Sequence, residues 1–265
     1  MRNLENQIAI VTGSSKGIGR EIVLKVAGEG AKVVVCGRDR GRVDAVVGEV
    51  SEIGGGALGF VGGLSTRDDA QRLVNATTTH FGRLDMLVNN AGSVKMEPFL
   101  DFRPETWHEH LEIHMSGAMF CAQAAARVMV ERGYGRIVNI SSIAAGMANP
   151  GFTAYGPVKA ALESLTRVMA VELASSGITV NTVAPGPVMN DMMLKLYGED
   201  VLRDRALTIP MARLATAAEV AHAVLFFLLP DSGYITGQLL GVDGGAKAAG
   251  CYTAGIFQQR KAAEI

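Results

Sequence analysis

Ile8-Ala9-Ile10-Val11-Thr12-Gly13-Ser14-Ser15-Lys16-Gly17-Ile18-Gly19-Arg20-Glu21 is the stretch that decides the fold. Its first four residues are an apolar run of strand type, and a helical pattern begins at about residue 18. The glycines at 13, 17 and 19 fall in the turn between them. Backbone N–H groups and a helix N-terminus at such a turn face an anion, and a dinucleotide pyrophosphate is the expected one. The spacing Gly-x-x-x-Gly-x-Gly departs from the commoner Gly-x-Gly-x-x-Gly. A tight turn without a ligand is the other reading of the same residues.

Working outward, short apolar runs alternate with helical patterns along the chain. Strands are expected at 8–11, 32–36, 58–61, 84–88, 136–140, 178–183 and 238–242. Helices are expected at about 18–29, 40–53, 67–81, 104–131, 155–175 and 217–229. Near-continuous β-branched runs suit strands buried on both faces of a parallel sheet. The alternation predicts an α/β fold, a doubly wound Rossmann-type sheet of seven parallel strands with helices on both faces. No linker, repeat or low-complexity stretch divides residues 1–265, so one domain is expected. Residues 189–210 interrupt the pattern as a helical insertion or a lid, and 246–265 as a frayed tail or an arm to a neighbouring subunit.

Composition narrows the function. The chain has 265 residues, 48% of them hydrophobic, and a net charge of −1. Nothing in that balance favours nucleic acid or an acidic membrane surface. Cys36, Cys121 and Cys251 have no metal-ligand spacing and cannot all pair, so no metal site is expected and a reduced, cytoplasmic protein is. The N-terminus shows no signal peptide, and the longest apolar run, Val224 to Leu229, is too short to span a bilayer.

The second strand ends Cys36-Gly37-Arg38-Asp39-Arg40. A carboxylate there would accept from a ribose 2′-hydroxyl and favour NAD. The position holds Gly37, with Arg38 next and Lys16 in the phosphate turn. Two cations favour a 2′-phosphate, so NADP(H) is the expected cofactor, with NAD(H) possible if Asp39 turns inward.

Tyr155 and Lys159 stand four apart on one helix face, with Ser142 thirteen residues upstream. The ammonium is expected to lower the phenol from its usual pKa of about 10. Ser142 is placed to hold a carbonyl oxygen beside that phenol. The three form a general acid for a carbonyl or a general base for an alcohol.

These motifs, with Asn89-Asn90-Ala91-Gly92, Pro185-Gly186, Tyr234-Ile235-Thr236-Gly237-Gln238 and Val242-Asp243-Gly244-Gly245, resemble the short-chain dehydrogenase/reductase family over about residues 4 to 245. The resemblance implies hydride transfer between a nicotinamide and an alcohol or ketone. It implies Tyr155 as acid/base, Ser142 as orienter of the substrate oxygen and Lys159 on the nicotinamide ribose. It implies cofactor contacts from Gly13, Ser15, Lys16, Gly17, Ile18, Gly19, Arg38, Leu64, Asn90, Ala91, Gly92, Pro185, Gly186, Val188 and Asn190. It also implies a homotetramer paired through 104–131 and 155–175, where Ala122 to Ala126 and Ala160-Ala161 would allow close packing.

Three positions depart from the family pattern. His114 stands where an Asn usually completes a catalytic tetrad, and is expected either to add a group titrating near pH 6.5 or to fill space. Gly63 replaces an Asp near the adenine. Asn190 replaces a Thr that contacts the carboxamide, and its amide can both donate and accept. The expected substrate wall, Val94, Ala144, Met147, Phe152, Met189 and Met193 with Ser93, Met96, Met192 and Leu196, is mostly apolar and Met-rich. It suits a hydrophobic, cyclic or aromatic carbonyl compound, with Lys95 and Lys195 the only nearby cations. An NAD-dependent sterol or sugar alcohol dehydrogenase is the alternative enzyme. A nucleotide-sensing protein or a structural subunit is the non-catalytic one.

Overall fold

A computed structural model describes residues 3–249, apart from the side chains of Asp191, Met192, Lys195 and Leu196. The expectations for the 250–265 tail, and for Met192, Lys195 and Leu196 as side chains of the substrate wall, lie outside the described residues. Seven parallel strands form one sheet in the order β3-β2-β1-β4-β5-β6-β7. They are β1 (Ile8–Val11), β2 (Lys32–Gly37), β3 (Ala57–Val61), β4 (Met86–Asn89), β5 (Gly135–Ile140), β6 (Ile178–Pro185) and β7 (Leu239–Val242). The strand order reverses between β1 and β4, and ligands of open α/β sheets bind at such a switch point. Among the described residues no helix is long and apolar enough to cross a membrane.

Two apolar layers flank the sheet. On one face α1 (Gly17–Gly28), α2 (Arg40–Glu52) and α8 (Ala217–Leu228) pack Ile22, Val26, Val46, Val224 and Phe227 against Val33, Val35, Val88 and Val138. On the other, α3 (Arg67–Phe81), α5 (Gly117–Val130) and α6 (Tyr155–Leu173) pack Leu73, Cys121, Ala125 and Ala170 against Ile10, Leu87, Ile137 and Val180. Every residue of β1, β4, β5 and β6 is buried, including the polar Asn89, Arg136, Asn139 and Asn181 that interrupt their apolar runs.

Two details differ from the sequence reading. The helix expected over 104–131 is α4 (Pro104–His110), a π-helical segment at Leu111–Ser116, and then α5. The wider turn puts His114 at a functional end of the sheet, where such segments concentrate. Ala122, Ala124, Ala125 and Ala126 are buried within this chain, and Ala160 and Ala161 are partly buried. On α4, α5 and α6, Trp107, Val130, Val168 and Val171 are large apolar residues left exposed. The 189–210 stretch is helical, α7 (Asp191–Leu207), with a break at Gly198 (φ 72°). A short α9 (Ala246–Ala249) follows β7.

The turn that opens α1 depends on two glycines. Gly13 has φ +62°, and a Cβ there would lie 2.7 Å from the Ala91 Cα. A Cβ on Gly19 would lie 2.5 Å from Asn90 Nδ2 and from the Gly13 carbonyl oxygen. Asn90 Nδ2 donates to the carbonyls of Thr12 (2.9 Å) and Gly13 (3.0 Å). Thr12 Oγ1 accepts from the N–H groups of Asn90 and Ala91. The ends of β1 and β4 are thereby clasped through two side chains, beside the Thr12 N–H that donates to the Val88 carbonyl (3.0 Å). Gly13→Ala is expected to lower stability by about 1–3 kcal/mol in denaturant titration, through strain and overpacking. A parent-like midpoint would show that the clasp yields freely.

Candidate active site

The catalytic candidates converge at the C-terminal end of β5. Ser142 follows that strand, with Oγ accepting from the Ala144 N–H (3.2 Å) to start a short 3₁₀ turn at Ile143–Ala145. Tyr155 opens α6, with its phenol beside the Ser142 hydroxyl. Gly156 lets α6 approach closely, since a Cβ there would lie 2.9 Å from the Ala144 carbonyl oxygen. Lys159, one turn later, is 4% exposed. Its ammonium donates to the Ile140 carbonyl (2.7 Å) and lies 5.8 Å from the centre of the Tyr155 ring.

The electrostatics correct one expectation. Burial pushes the Tyr155 phenol above its ordinary value, and the neighbouring Ser142 hydroxyl offsets only part of that. Burial holds the Lys159 ammonium down at about 7, with the Glu163 carboxylate working against it. The sequence expectation of a lowered phenol counted the neighbouring charge and omitted desolvation, which acts against both charged forms. At neutral pH this phenol is a proton donor.

His114 corrects a second. Its Nε2 lies 2.7 Å from the Ser93 carbonyl and 3.3 Å from the Ser93 N–H; the shorter contact, to a group that can only accept, favours the proton on Nε2 and the lone pair on Nδ1. Burial and the neighbouring Lys159 push its pKa down to about 2, so it is not a group titrating near 6.5. The ring stacks on His110 (5.6 Å, 26°) and meets Tyr155 edge-on (5.4 Å, 79°), with Phe152 on another side of the phenol (5.3 Å). It also fills the space a Gly92 side chain would need, with Cε1 2.4 Å from that Cβ position. His114 Nδ1 and Asn89 Oδ1 are buried without a protein partner. Both residues line a small cavity of about 10 Å³, together with Thr12, Leu64, Ala91 and Lys159.

The nucleotide side is assembled at the β1–β4 switch point. Lys16 is the N-cap of α1 but makes no side-chain cap, whereas Asp39, Thr66, Asn190 and Thr216 cap α2, α3, α7 and α8. The leading N–H groups of α1 therefore have no side-chain acceptor. Gly17 (φ +57°) has open space where a Cβ would stand. An uncapped helix start behind an open glycine turn fits a dinucleotide pyrophosphate. Ser14 Oγ fastens the turn to β2 by accepting from the Cys36 N–H (2.9 Å), a tie the sequence did not reveal.

At the end of β2 a Gly37 Cβ would meet Ser15 Oγ at 2.7 Å and Val43 Cγ2 at 2.9 Å, so no carboxylate fits there. Asp39 does not turn inward: it caps α2 through the Arg42 N–H (3.0 Å). Arg38 and Lys16 are exposed at this end, and among the described residues neither forms an ion pair.

Leu64 brings its carbonyl against α5, where Gly117 leaves room for it. Gly186 packs on Asp243, and Val188 is buried in the main core and paired with Ala215. Both hydrogen-bonding groups of Asn190 are used locally, toward the Met193 N–H and the Val188 carbonyl. Of the expected substrate wall, Val94, Met147, Phe152 and Met193 are partly buried and Met189 is 47% exposed. Ala144 is buried against α6. Lys95 pairs with Glu109. Lys247 was missed in the sequence: its ammonium lies 3.0 Å from where a Gly146 Cβ would stand, a contact between residues a hundred positions apart.

Two outcomes follow. Lys159 is a base with a folded pKa of about 7 against an ordinary 10.5, so between these values the unfolded chain binds more protons. Stability of the cofactor-free protein is expected to rise with pH across that window, and Lys159→Met to remove most of the rise. A flat thermal midpoint from pH 7 to 10 in the parent would contradict the buried ammonium. His114→Asn is expected to leave every apparent pKa between 5 and 9 of the kcat/KM profile in place. Loss of a limb near 6.5 would show that His114 titrates.

The comparisons agree with this geometry. Residues 13–247 match a family model described as Enoyl-(Acyl carrier protein) reductase. A 3-oxoacyl-[acyl-carrier-protein] reductase of Synechocystis sp. is 39% identical over 247 residues, 92% of this chain and 98% of that protein. A short-chain type dehydrogenase/reductase from Mycobacterium ulcerans superposes with a TM-score of 0.89 at 30% identity, over 93% of this chain and 91% of that one. A gluconate 5-dehydrogenase from Burkholderia cenocepacia, solved with NADP and tartrate, also gives 0.89 at 30% identity, over 93% and 97%. With the switch-point turn and the Ser142–Tyr155–Lys159 cluster, these likenesses make the chain an oxidoreductase that belongs to the short-chain dehydrogenase/reductase family.

Proposed function

We propose that the protein is an NADP(H)-dependent reductase of a ketone whose body is apolar, running in reverse as a secondary-alcohol dehydrogenase. A 3-oxoacyl thioester, the substrate class in the name of the Synechocystis relative, is the first compound to test. The observation that carries the reading is the Tyr155 phenol, beside Ser142 and backed by the buried Lys159 ammonium 5.8 Å from its ring centre. Met147, Phe152 and Met193, with Met96 held by Tyr197, support an apolar substrate body. Arg38 and Lys16, with a carboxylate excluded at Gly37, support the 2′-phosphate.

When bound, the reduced nicotinamide supplies a hydride to the carbonyl carbon. The Ser142 hydroxyl holds the carbonyl oxygen, and the Tyr155 phenol gives that oxygen its proton. A C–H and an O–H bond form, and the C=O double bond becomes single. The phenolate left behind is stabilised by the Lys159 ammonium and the Ser142 hydroxyl until solvent reprotonates it. Desolvation keeps the phenol protonated before the step, which suits reduction at neutral pH. The assembly we propose is a homotetramer in the cytoplasm, with the exposed Val168 and Val171 of α6 among the covered residues.

Initial rates of NADPH and NADH oxidation with acetoacetyl thioesters, neutral 3-oxo esters and cyclic ketones test the reading. Tyr155→Phe is expected to lose about 10²–10⁴ in kcat while cofactor affinity stays near the parent's. Arg38→Ala is expected to lower kcat/KM for NADPH about tenfold, the loss of one charge-assisted contact, and to leave NADH nearly unchanged. Equal efficiency with both cofactors in the parent would overturn the NADP(H) preference. Full activity of Tyr155→Phe would overturn the site.

A further inference from the structure

Lys159 is buried, yet the proposed reaction uses it charged. Its ammonium donates to a neutral carbonyl, that of Ile140, at 2.7 Å. A neutral acceptor leaves most of the desolvation penalty in place. The titratable groups packed around it are Tyr155 and Glu163 from α6, His114 from the π-helical segment and, across the shared cavity, Cys121 of α5, a thiol that burial pushes up to about 12. Tyr155 is protonated and His114 is neutral, so neither supplies a negative charge before the reaction.

Glu163 does. It stands one helical turn beyond Lys159, on the same side of α6. Its Oε1 accepts from the hydroxyl of Ser141 at 2.7 Å, and Ser141 is 2% exposed. The same hydroxyl also lies 3.4 Å from the Lys159 carbonyl. Ser141 is the residue before Ser142, at the end of β5. The carboxylate is therefore fastened to the strand that carries the catalytic serine, instead of swinging out into water. No direct ion pair forms with Lys159, so the carboxylate of the partly buried Glu163 acts on the buried ammonium through space.

We propose that Glu163, pinned by Ser141, is a positioning residue whose carboxylate keeps the buried Lys159 ammonium charged at the working pH. This rests on the assignment of Lys159 to the reaction made above. Removing the carboxylate makes the ammonium lose its proton at lower pH. The alkaline limb of kcat/KM for ketone reduction then moves down, while the substrate contacts are untouched.

The test compares Glu163→Gln with the parent in two measurements. In the kcat/KM profile its alkaline limb is expected to fall about 0.5–1 unit lower, the size of a partly screened opposite charge. In the cofactor-free protein, the rise of thermal stability with pH is expected to begin at correspondingly lower pH. Glu163→Asp, which keeps the charge, is expected to restore both curves at least in part. Ser141→Ala, which frees the carboxylate, is expected to shift them the same way by less, and stands in if Glu163→Gln fails to fold. Glu172→Gln, an exposed acid later on the same helix, is expected to change neither. Superimposable curves for parent and Glu163→Gln would overturn the proposal, as would an equal shift in Glu172→Gln. The stability curves need no turnover, so an inactive parent would contradict the proposed reaction and still leave the Glu163 effect measurable.

Discussion

An ammonium held out of water at the end of β5 is the constraint around which this site is arranged. Lys159 is 4% exposed and bonded to the Ile140 carbonyl. A buried cation costs several kcal/mol unless its surroundings offset the lost hydration. The neighbouring features are best understood from that requirement. The histidine beside it is held neutral, its proton fixed on the nitrogen that faces the Ser93 carbonyl. The phenol beside it stays protonated until a reaction makes the phenolate, which the ammonium can then stabilise. The cation therefore contributes most when negative charge appears in the reaction, which is where differential stabilisation lowers a barrier.

The nucleotide side depends on close backbone approach. Gly13 and Gly19 allow the β1 turn to sit against Asn90 and Ala91, and Gly37 allows β2 to end against Ser15. The same contacts that hold the sheet's switch point together leave the first turn of α1 uncapped and facing outward. Fold and binding site are thus one set of short distances, and a side chain added at these glycines disturbs both.

Much of this was legible in the sequence. Buried parallel strands are long β-branched runs, and β1, β2, β5 and β6 were placed nearly to the residue. The glycine turn, Ser142, Tyr155 and Lys159 could be found because their spacing is local. What escaped was set by three-dimensional surroundings. The π-helical segment at Leu111–Ser116 keeps an almost helical apolar pattern, so nothing in residues 104–131 announces it. Desolvation reversed the expected direction for Tyr155, because a pattern of residues shows neighbours and not the absence of water. The alanines of α5 are buried within the chain, which the spacing of small residues alone does not announce. Lys247 over Gly146 and Glu163 on Ser141 are tertiary contacts with no local signature.

The central claim is hydride transfer to a carbonyl carbon at the Ser142–Tyr155–Lys159 site. It is tested most directly with NADPH carrying two deuteriums at C4, a 3-oxo ester or acetoacetyl thioester, and mass spectrometry of the product. The account predicts one deuterium on the new carbinol carbon for each NADPH consumed, and none formed by Tyr155→Phe within the parent's turnover time. NADPH consumption without a deuterated alcohol, or labelled alcohol formed equally fast without the phenol, would contradict it.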